Sequence, residues 1–299
     1  MSNNNLQVIL RSIRPPFLLL TPVCILLGLG TAINTGAEIN TATFLLALAG
    51  AISAHISVNT LNEYLDFRSG LDLVTQKTPF SGGSGALPDN PLAASAVLSV
   101  AILTLVTTIL IGLYFIVLRG LAILPLGLMG VVIIVLYTGW INRHPFSCLL
   151  APGLGFGPLM VIGTHFVLTG NYHWLAAIAS LIPLFLVSNL LLLNQYPDIK
   201  ADKSVGRRHF PIAFGTDVSN WTYASFISLT YLAILIAVVT GLLPKLSLIS
   251  LLTIIVAVPT LMGVFRYAND TPRLIPYLAL NVAVTLLTPT LLGVSLLAA

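Results

Sequence analysis

The sequence predicts an all-α protein that crosses a membrane many times, and three observations lead to this fold class. Of the 299 residues, 57% are hydrophobic and only 7% are charged, whereas about a quarter of the residues in a soluble domain are charged. The mean hydropathy of +1.00 is too high for a surface that faces water. The apolar residues form long runs, without the alternation that is typical of barrel strands. The composition therefore argues against a soluble globular protein.

Nine segments are about as long as the roughly 20 apolar residues that a helix needs to cross a bilayer. They are Pro16–Ile33, Ala42–Leu61, Leu92–Phe115, Leu121–Tyr137, Cys148–Leu168, Trp174–Leu193, Trp221–Val239, Leu246–Phe265 and Leu274–Leu297. Glycine and proline inside these segments are compatible with membrane helices. No linker or low-complexity stretch separates the segments, so residues 1–299 are expected to form a single membrane domain.

The positions of lysine and arginine predict the orientation of the helices, because cytoplasmic loops carry an excess of both residues. If the N-terminus is cytoplasmic, only Arg119 and Lys245 lie on the outer side. The cytoplasmic side then holds Arg11, Arg14, Arg68, Lys77, Arg143, Lys200, Lys203, Arg207, Arg208, Arg266 and Arg273. This asymmetry predicts a protein of the plasma or inner membrane whose C-terminus, after nine crossings, lies outside.

Two connections, at about residues 63–90 and 195–220, are longer than the others, and both are predicted to be cytoplasmic. Long loops in compact proteins are often functional. Five of the nine acidic residues fall in two short segments of these loops, 62–72 and 194–202, each of which closes a membrane helix. They are Glu63, Asp66, Asp72, Asp198 and Asp202.

The spacing within the two acidic clusters predicts a metal site. Asn62 and Asp66 are four residues apart, as are Asp198 and Asp202, so each pair lies on one face of a helix. Carboxylate and amide oxygens suit a hard cation such as Mg²⁺, which also binds substrate phosphates. One aspartate alone is more often simply a polar helix end at the water interface. Two matching clusters on one side of the membrane favour a functional site, because acidic residues at membrane depth are costly.

Basic residues in the same two loops predict that the substrate carries phosphate. Guanidinium and ammonium groups bind phosphate oxygens through charge-assisted hydrogen bonds, although the cytoplasmic excess of positive charge explains part of this clustering. The candidates are Arg68, Lys77, Lys203, Arg207 and Arg208. The glycine-rich stretch 81–85 could present backbone N–H groups to phosphate or could form a flexible turn.

These residues resemble the UbiA superfamily of membrane prenyltransferases. The superfamily has nine helices, an Asn-Asp-x-x-Asp type motif after the second helix and an Asp-x-x-x-Asp motif after the sixth. Residues 62–66, Asn-Glu-Tyr-Leu-Asp, match the first motif, with Glu63 in place of the usual aspartate, and residues 198–202 match the second. The Gly70-x-Asp72 spacing and the stretches 137–139 and 157–164 are most similar to the MenA branch. The resemblance covers nearly the whole chain.

The resemblance implies a UbiA-type helical bundle that transfers a polyprenyl group from its diphosphate to an aromatic acceptor with Mg²⁺ as cofactor. In the MenA branch the acceptor is 1,4-dihydroxy-2-naphthoate, a precursor of menaquinone. The implied catalytic and metal-binding residues are Asn62, Asp66, Asp72, Asp198 and Asp202, and the implied acceptor-binding residues are Arg14, Tyr137 and Arg143. The expected partners are the two substrates and membrane lipid, with no nucleic acid.

Alternative functions remain open from the sequence. Within the superfamily, the acceptor could be 4-hydroxybenzoate or another quinone precursor, haem, a chlorophyll precursor or a glycerol-phosphate lipid. A multi-pass transporter is an alternative outside the superfamily, as is a protein that binds prenyl lipid without chemistry. Transporters usually hold their ions near the midplane of the membrane, whereas these carboxylates are predicted at helix ends.

Overall fold

The computed structural model describes residues 3–299, and side chains from Asn5 onward, as a bundle of helices with no β-strand in that range. Eight of the helices are long and apolar enough to cross a membrane, and α4 is shorter than these eight. The helices are α1 (Asn5–Asn34), α2 (Thr41–Arg68), α3 (Pro91–Arg119), α4 (Leu121–Leu136), α5 (Pro145–Thr169), α6 (Trp174–Asn194), α7 (Phe210–Val239), α8 (Lys245–Tyr267) and α9 (Thr271–Leu297). Short helices in the connections span Leu71–Val74, Ala86–Asp89 and Ile199–Ser204.

The nine helices correspond to the nine predicted segments, and the all-α membrane fold is confirmed. Three helix ends differ from the prediction by more than five residues. The α1 helix begins at Asn5 rather than at Pro16, α2 continues seven residues beyond Leu61, and α7 begins at Phe210 rather than at Trp221. All three extensions contain polar or charged residues, so a criterion based on apolar length could not detect them. The two long connections are therefore residues 69–90 and 195–209, shorter than predicted.

The α6 helix lies at the centre of the bundle and packs against α1, α5, α7 and α9. In α6, 67% of the residues in the apolar stretch are buried inside the protein, compared with 11% in α3. The α3 helix instead packs along α2 and presents its remaining surface outward. The contrast identifies α6 as the core helix and α3 as a peripheral helix that faces lipid.

Buried hydrogen bonds connect α7, α8 and α9. The Tyr223 hydroxyl donates to Asn281 Oδ1 at 3.0 Å, and the Tyr231 and Thr253 hydroxyls lie 3.0 Å apart. The Thr253 hydroxyl in turn lies 2.8 Å from that of Thr288. Such hydrogen bonds hold membrane helices together, because lipid offers no alternative partner. These three helices contribute no residue to the large cavity of the protein, which is lined by α1 to α6 and their connections.

Candidate active site

The polar residues of both sequence motifs meet at one end of the cavity. Asp66 lies near the end of α2, and Asp72 lies on the short helix that follows. Asp198 follows α6 and caps the short helix on which Asp202 lies. All four carboxylates line the cavity, so the structure brings together clusters that are more than 120 residues apart in the chain. We call this end of the cavity the carboxylate mouth.

Arg207 joins the two motifs. Its Nη1 donates to Asp202 Oδ1 at 2.8 Å, and its Nη2 forms an ion pair with Asp66. Burial alone lowers the pKa of Arg207, but the two carboxylates raise it above its usual value. The other oxygen of Asp202 lies 2.9 Å from His209 Nε2. A permanently charged guanidinium therefore holds the ends of α2 and α6 at a fixed separation.

Asp198 is held by the glycine-rich stretch rather than by a basic side chain. Its Oδ1 accepts from the Ser81 hydroxyl at 3.1 Å, and its Oδ2 accepts from the Gly82 backbone N–H at 3.0 Å. Gly82 has a φ of +82° and Gly83 a φ of +72°, a conformation in which side chains are unfavourable. A Cβ on Gly83 would lie 2.8 Å from Asp72 Oδ1. The two glycines thus allow the loop to contact both Asp72 and Asp198.

Arg14 lines the same cavity and pairs with a buried carboxylate. Its Nη2 pairs with Glu63 Oε2 at 2.8 Å and donates to Asn62 Oδ1 at 3.3 Å. Glu63 is fully buried and also accepts hydrogen bonds from the Ser84 N–H and hydroxyl. Arg14 has a φ of +56°, the one positive value at a non-glycine residue in the described part of the chain. Such a backbone costs about 1–3 kcal/mol and is often found at functional sites.

The mouth has unsatisfied negative charge and unused oxygen atoms. Burial, together with the Glu63 and Asp66 carboxylates, raises the pKa of Asp72 to about 7, and burial and Asp202 raise the pKa of Asp198 to about 7. Buried oxygen atoms without a hydrogen-bond partner include Asp72 Oδ2, Asn142 Oδ1, Asn194 Oδ1 and Gln195 Oε1. The negative groups at or beside the mouth are five carboxylates, and the positive groups are the guanidinium groups of Arg14 and Arg207. An added cation would therefore lower the electrostatic energy of the site.

The donor set fits Mg²⁺, since it consists of carboxylate and amide oxygens. Within residues 5–299, no three His, Cys, Asp or Glu side chains already surround a point that could hold a metal ion. This agrees with the way that Mg²⁺ is usually bound, through one or two carboxylates and several phosphate oxygens. The protein therefore offers part of a coordination shell, which a phosphate-bearing ligand would complete.

The predicted site residues divide into two groups. Those that line the cavity are Arg14, Asn62, Asp66, Asp72, Tyr137, Asp198, Asp202 and Arg207. Those that are exposed and lie outside the cavity lining are Arg68, Lys77, Arg143, Lys203 and Arg208. Among the predicted basic residues for phosphate, Arg207 alone thus reaches the mouth in the described structure. Arg207 and Arg208 are neighbours, and no feature of the sequence indicates which of the two side chains points into the mouth.

The polar cavity residues that sequence reasoning did not select include Asn142, Asn194, Gln195 and His209. Two of them, Asn142 and His209, directly adjoin a predicted basic residue in the sequence. Asn194 and Gln195 precede Asp198 by about one helical turn, a position from which side chains reach the same surface. His209 directly follows Arg208 in the sequence. The contact between His209 and Asp202 could have been suspected only because the two residues are close in the sequence.

Beyond the mouth the cavity is apolar. It has a volume of about 680 Å³ and extends between α2, α3, α4 and α5. Most of its wall consists of aliphatic and aromatic side chains, with His55, Thr108 and Thr164 as isolated polar residues. A site with an anionic, metal-binding entrance and a long hydrocarbon interior is suited to a lipid that carries a phosphate head group.

The fold and the site are those of a multi-pass membrane protein whose cavity is suited to such a lipid. The UbiA prenyltransferase family model matches residues 21–293. The chain belongs to this family and is a multi-pass membrane prenyltransferase. A transporter and a non-catalytic lipid carrier are thereby set aside. The resemblance inferred from the two motifs is confirmed.

A curated relative and several solved structures support this assignment. The chain is 28% identical over 238 residues, 79% of its length and 75% of the relative's, to the 1,4-dihydroxy-2-naphthoate octaprenyltransferase of Bacillus subtilis (strain 168). A UbiA homologue from Aeropyrum pernix K1 has the same fold, with a TM-score of 0.72 at 16% identity over 95% of this chain and 98% of that one. A UbiA homologue from Archaeoglobus fulgidus bound to DMAPP and Mg²⁺ gives 0.63 at 15% identity, over 96% and 99%.

We expect Arg14 and Glu63 to stabilise the fold as a pair. Removal of one partner of a buried ion pair leaves an uncompensated charge and costs about 3–5 kcal/mol. Arg14→Gln should therefore lower the thermal unfolding midpoint of the detergent-solubilised protein markedly. The double variant Arg14→Gln/Glu63→Gln should lose less than the sum of the two single variants, with a coupling of roughly 0.5–3 kcal/mol. The exposed Arg143→Gln is the matched control, and strict additivity would contradict the pairing.

Proposed function

We propose that the chain transfers a polyprenyl group from its diphosphate to 1,4-dihydroxy-2-naphthoate, with Mg²⁺ as cofactor, in the biosynthesis of menaquinone. The observation that carries the proposal is the position of the carboxylate mouth at the entrance of an apolar cavity. A prenyl diphosphate has the same division, with charge at one end and hydrocarbon along the rest. The naphthoate acceptor is supported by the 28% identity to the Bacillus subtilis enzyme.

In this proposal the diphosphate binds at the mouth. The residues that would hold Mg²⁺ there are Asn62, Asp66, Asp72, Asp198 and Asp202. The metal ion would supply Lewis-acid stabilisation of the departing diphosphate. Arg207 lies between Asp66 and Asp202, so its guanidinium would face the negative charge of the diphosphate. Arg68, Lys77, Lys203 and Arg208 are exposed near the entrance, where they would attract the anionic substrate before it binds.

The protein would promote the transfer mainly by electrostatics and by exclusion of water. The bond between the allylic carbon and the diphosphate oxygen breaks as a new bond forms to an electron-rich carbon of the acceptor ring, and diphosphate leaves. The attacked ring carbon then loses its proton, or its carboxyl group as CO₂, and the ring becomes aromatic again. Positive charge develops on the allylic carbon, and water would intercept it. The apolar wall of the cavity keeps water away from this carbon. Arg14 and Arg207 counter the charge on the leaving group without reorganisation, because contacts to carboxylates already fix their positions.

The acceptor would bind beside the mouth, near Tyr137 and Arg14. Both residues line the cavity, and Arg14 can offer a cation to the carboxylate of a naphthoate. Arg143 is exposed and outside the cavity lining, so a role in acceptor binding would require it to move. We retain Arg14 and Tyr137 as the principal candidates and place Arg143 after them.

The metal site can be tested by removal of single ligands. Asp66→Ala and Asp198→Ala should each abolish turnover, because each variant removes an oxygen ligand from a shared Mg²⁺–diphosphate site. Excess chelator should inactivate the wild-type protein to the same extent, and added Mg²⁺ should restore it. The control is Asp270→Ala, which changes a half-exposed carboxylate outside the cavity lining. Full activity of either variant, or activity in chelator, would refute the site.

We also propose that the mouth faces the cytoplasm, on the basis of the lysine and arginine asymmetry. Gln76→Cys and Ser204→Cys introduce exposed thiols on the two mouth loops, and Asn171→Cys places one at the other end of the bundle. The native Cys24 and Cys148 are buried and should react little. A membrane-impermeant thiol reagent should label the two loops from the cytoplasmic side and Asn171→Cys from outside. Labelling of Gln76→Cys and Ser204→Cys from different sides would contradict a single mouth.

The acceptor can be identified by the mass of the product. Membranes that contain the protein would be incubated with one prenyl diphosphate and a panel of acceptors, with the Asp66→Ala variant as the blank. We expect 1,4-dihydroxy-2-naphthoate to be prenylated fastest, and the product mass also shows whether the carboxyl group is retained. Faster prenylation of 4-hydroxybenzoate or of a glycerol-phosphate lipid would contradict the proposed identity of the acceptor. It would not contradict the prenyltransferase activity.

A further inference from the structure

Three amide oxygens in the wall of the cavity are buried and have no hydrogen-bond partner. They are Asn142 Oδ1, Asn194 Oδ1 and Gln195 Oε1, and all three residues line the cavity. Asn142 and Asn194 are only 5% and 7% exposed. Buried polar groups in proteins are nearly always hydrogen-bonded, so an unpaired acceptor in a cavity wall indicates a ligand that donates. The residues proposed to hold Mg²⁺ do not include these three.

Two of the three amides belong to one small region of the wall. Gln195 Nε2 donates to Cys148 Sγ at 3.3 Å, and the Cys148 side chain packs in one apolar cluster with Tyr137. The backbone N–H of Asn142 donates to the carbonyl oxygen of Tyr137 at 3.1 Å. All four residues line the cavity. We call Tyr137, Asn142, Cys148 and Gln195 the amide subsite.

The neighbours of the two amides leave their oxygens available. The Gln195 N–H is engaged with the thiol sulfur of Cys148, a weak acceptor that is itself buried. The backbone carbonyl of Asn142 accepts from the Arg208 N–H at 3.2 Å, which fixes the main chain beside the mouth. Asn194 is left out of the subsite, because it lies one helical turn before Asp198 and shares a face with that proposed metal ligand.

Hydrogen bonds connect the amide subsite with a cation of the mouth. Asn62 Nδ2 donates to Thr138 Oγ1 at 3.1 Å, and Asn62 Oδ1 accepts from Arg14 Nη2 at 3.3 Å. Arg14 and Thr138 therefore contact the two ends of one amide group, and Tyr137 directly precedes Thr138 in the chain. A bicyclic aromatic molecule is large enough to reach from the guanidinium to the subsite. The arrangement suits a ring with a carboxylate at one position and a hydroxyl at another.

The two hydroxyls of 1,4-dihydroxy-2-naphthoate differ in what they can donate to a protein. The 1-hydroxyl is next to the carboxylate and donates to it within the molecule. The 4-hydroxyl has no such neighbour, so it needs an acceptor from the protein when the ring is buried, because an unpaired buried hydroxyl is costly. Neutral amide oxygens supply such an acceptor without adding negative charge next to the carboxylate of the ring.

We propose that the 4-hydroxyl of the acceptor donates to the amide subsite, where Asn142 and Gln195 supply the accepting oxygens. The two residues thereby select a ring with a free hydroxyl over one whose only hydroxyl lies beside its carboxylate. An analogue without the free hydroxyl is rejected, because the buried oxygens then stay unpaired. The inference rests on the proposed function, which supplies the naphthoate as acceptor.

The test compares the acceptor with 1-hydroxy-2-naphthoate, which lacks only the 4-hydroxyl and should inhibit in competition with the acceptor. Asn142→Leu and Gln195→Met remove the accepting oxygens with little change in side-chain volume. Each variant should raise the KM for 1,4-dihydroxy-2-naphthoate about tenfold, as the loss of one hydrogen bond does. The Ki of 1-hydroxy-2-naphthoate should stay the same or fall. The KM for the prenyl diphosphate and the Mg²⁺ requirement should stay within about twofold.

The matched control is Asn189→Leu. Asn189 also lies on α6, is fully buried and has an unpaired Oδ1, but it does not line the cavity. This variant should lower the thermal unfolding midpoint, because it loses the hydrogen bond to the Tyr223 carbonyl, and should leave the KM for the acceptor unchanged.

Three results would overturn the proposal. They are an unchanged KM for the acceptor in both subsite variants, an equal rise in that KM and in the Ki of the analogue, and a shifted Mg²⁺ requirement, which would assign the oxygens to the metal. If a subsite variant does not fold, Asn142→Ser and Gln195→Ala decide by the same criteria. Failure of the proposed function is distinguishable, since the wild-type protein would then not prenylate 1,4-dihydroxy-2-naphthoate at all.

Discussion

The pairing of Arg207 with Asp66 and Asp202 is the interaction on which the rest of the site depends. Carboxylates at the edge of a membrane domain are costly unless a positive charge compensates them. The guanidinium group supplies this charge and links the end of α2 to the connection after α6. Without it, the two acidic motifs would repel each other and the mouth could not close around one ligand. The remaining excess of negative charge favours an added cation at the mouth.

The glycine-rich loop has a corresponding role on the other side of the mouth. Its Ser81 and Gly82 donate to Asp198, and its Ser84 donates to the buried Glu63. The loop therefore contacts residues of both motifs through its own backbone and hydroxyl groups. Donors aimed at carboxylates fix the positions of the oxygen atoms without adding charge. The site is thus preorganised by a loop that the sequence would equally allow to be a flexible turn.

The membrane environment explains why different helices have different structural roles. The α7, α8 and α9 helices are joined by buried hydrogen bonds and contribute nothing to the cavity. The α7 and α9 helices pack against α6, the central helix, and α8 packs against α7 and α9, whereas α3 and α4 line the cavity. An apolar cavity between helices is inexpensive in a bilayer, because lipid chains or an apolar ligand can fill it. The same bundle can therefore be rigid at the mouth and open at its lipid-facing side.

The sequence by itself determined the fold class, the nine helices and the two acidic clusters, because these depend on composition and on local spacing. A run of apolar residues predicts a membrane helix wherever it lies, and residues four apart share a helix face. The polar ends of α2 and α7 were missed for the same reason, since a measure of apolar length does not respond to them. Most of the carboxylates of the site were thus predictable from the sequence, whereas their partners were not.

Only the tertiary structure decided which basic residues meet the acidic ones. Arg207 and Arg208 are equivalent in the sequence, yet Arg207 reaches Asp66 across 141 residues of chain and Arg208 is exposed. Arg14 and Glu63 are likewise paired by the packing of α1 against α2. Contacts of this kind depend on the relative positions of helices, which local periodicity does not encode.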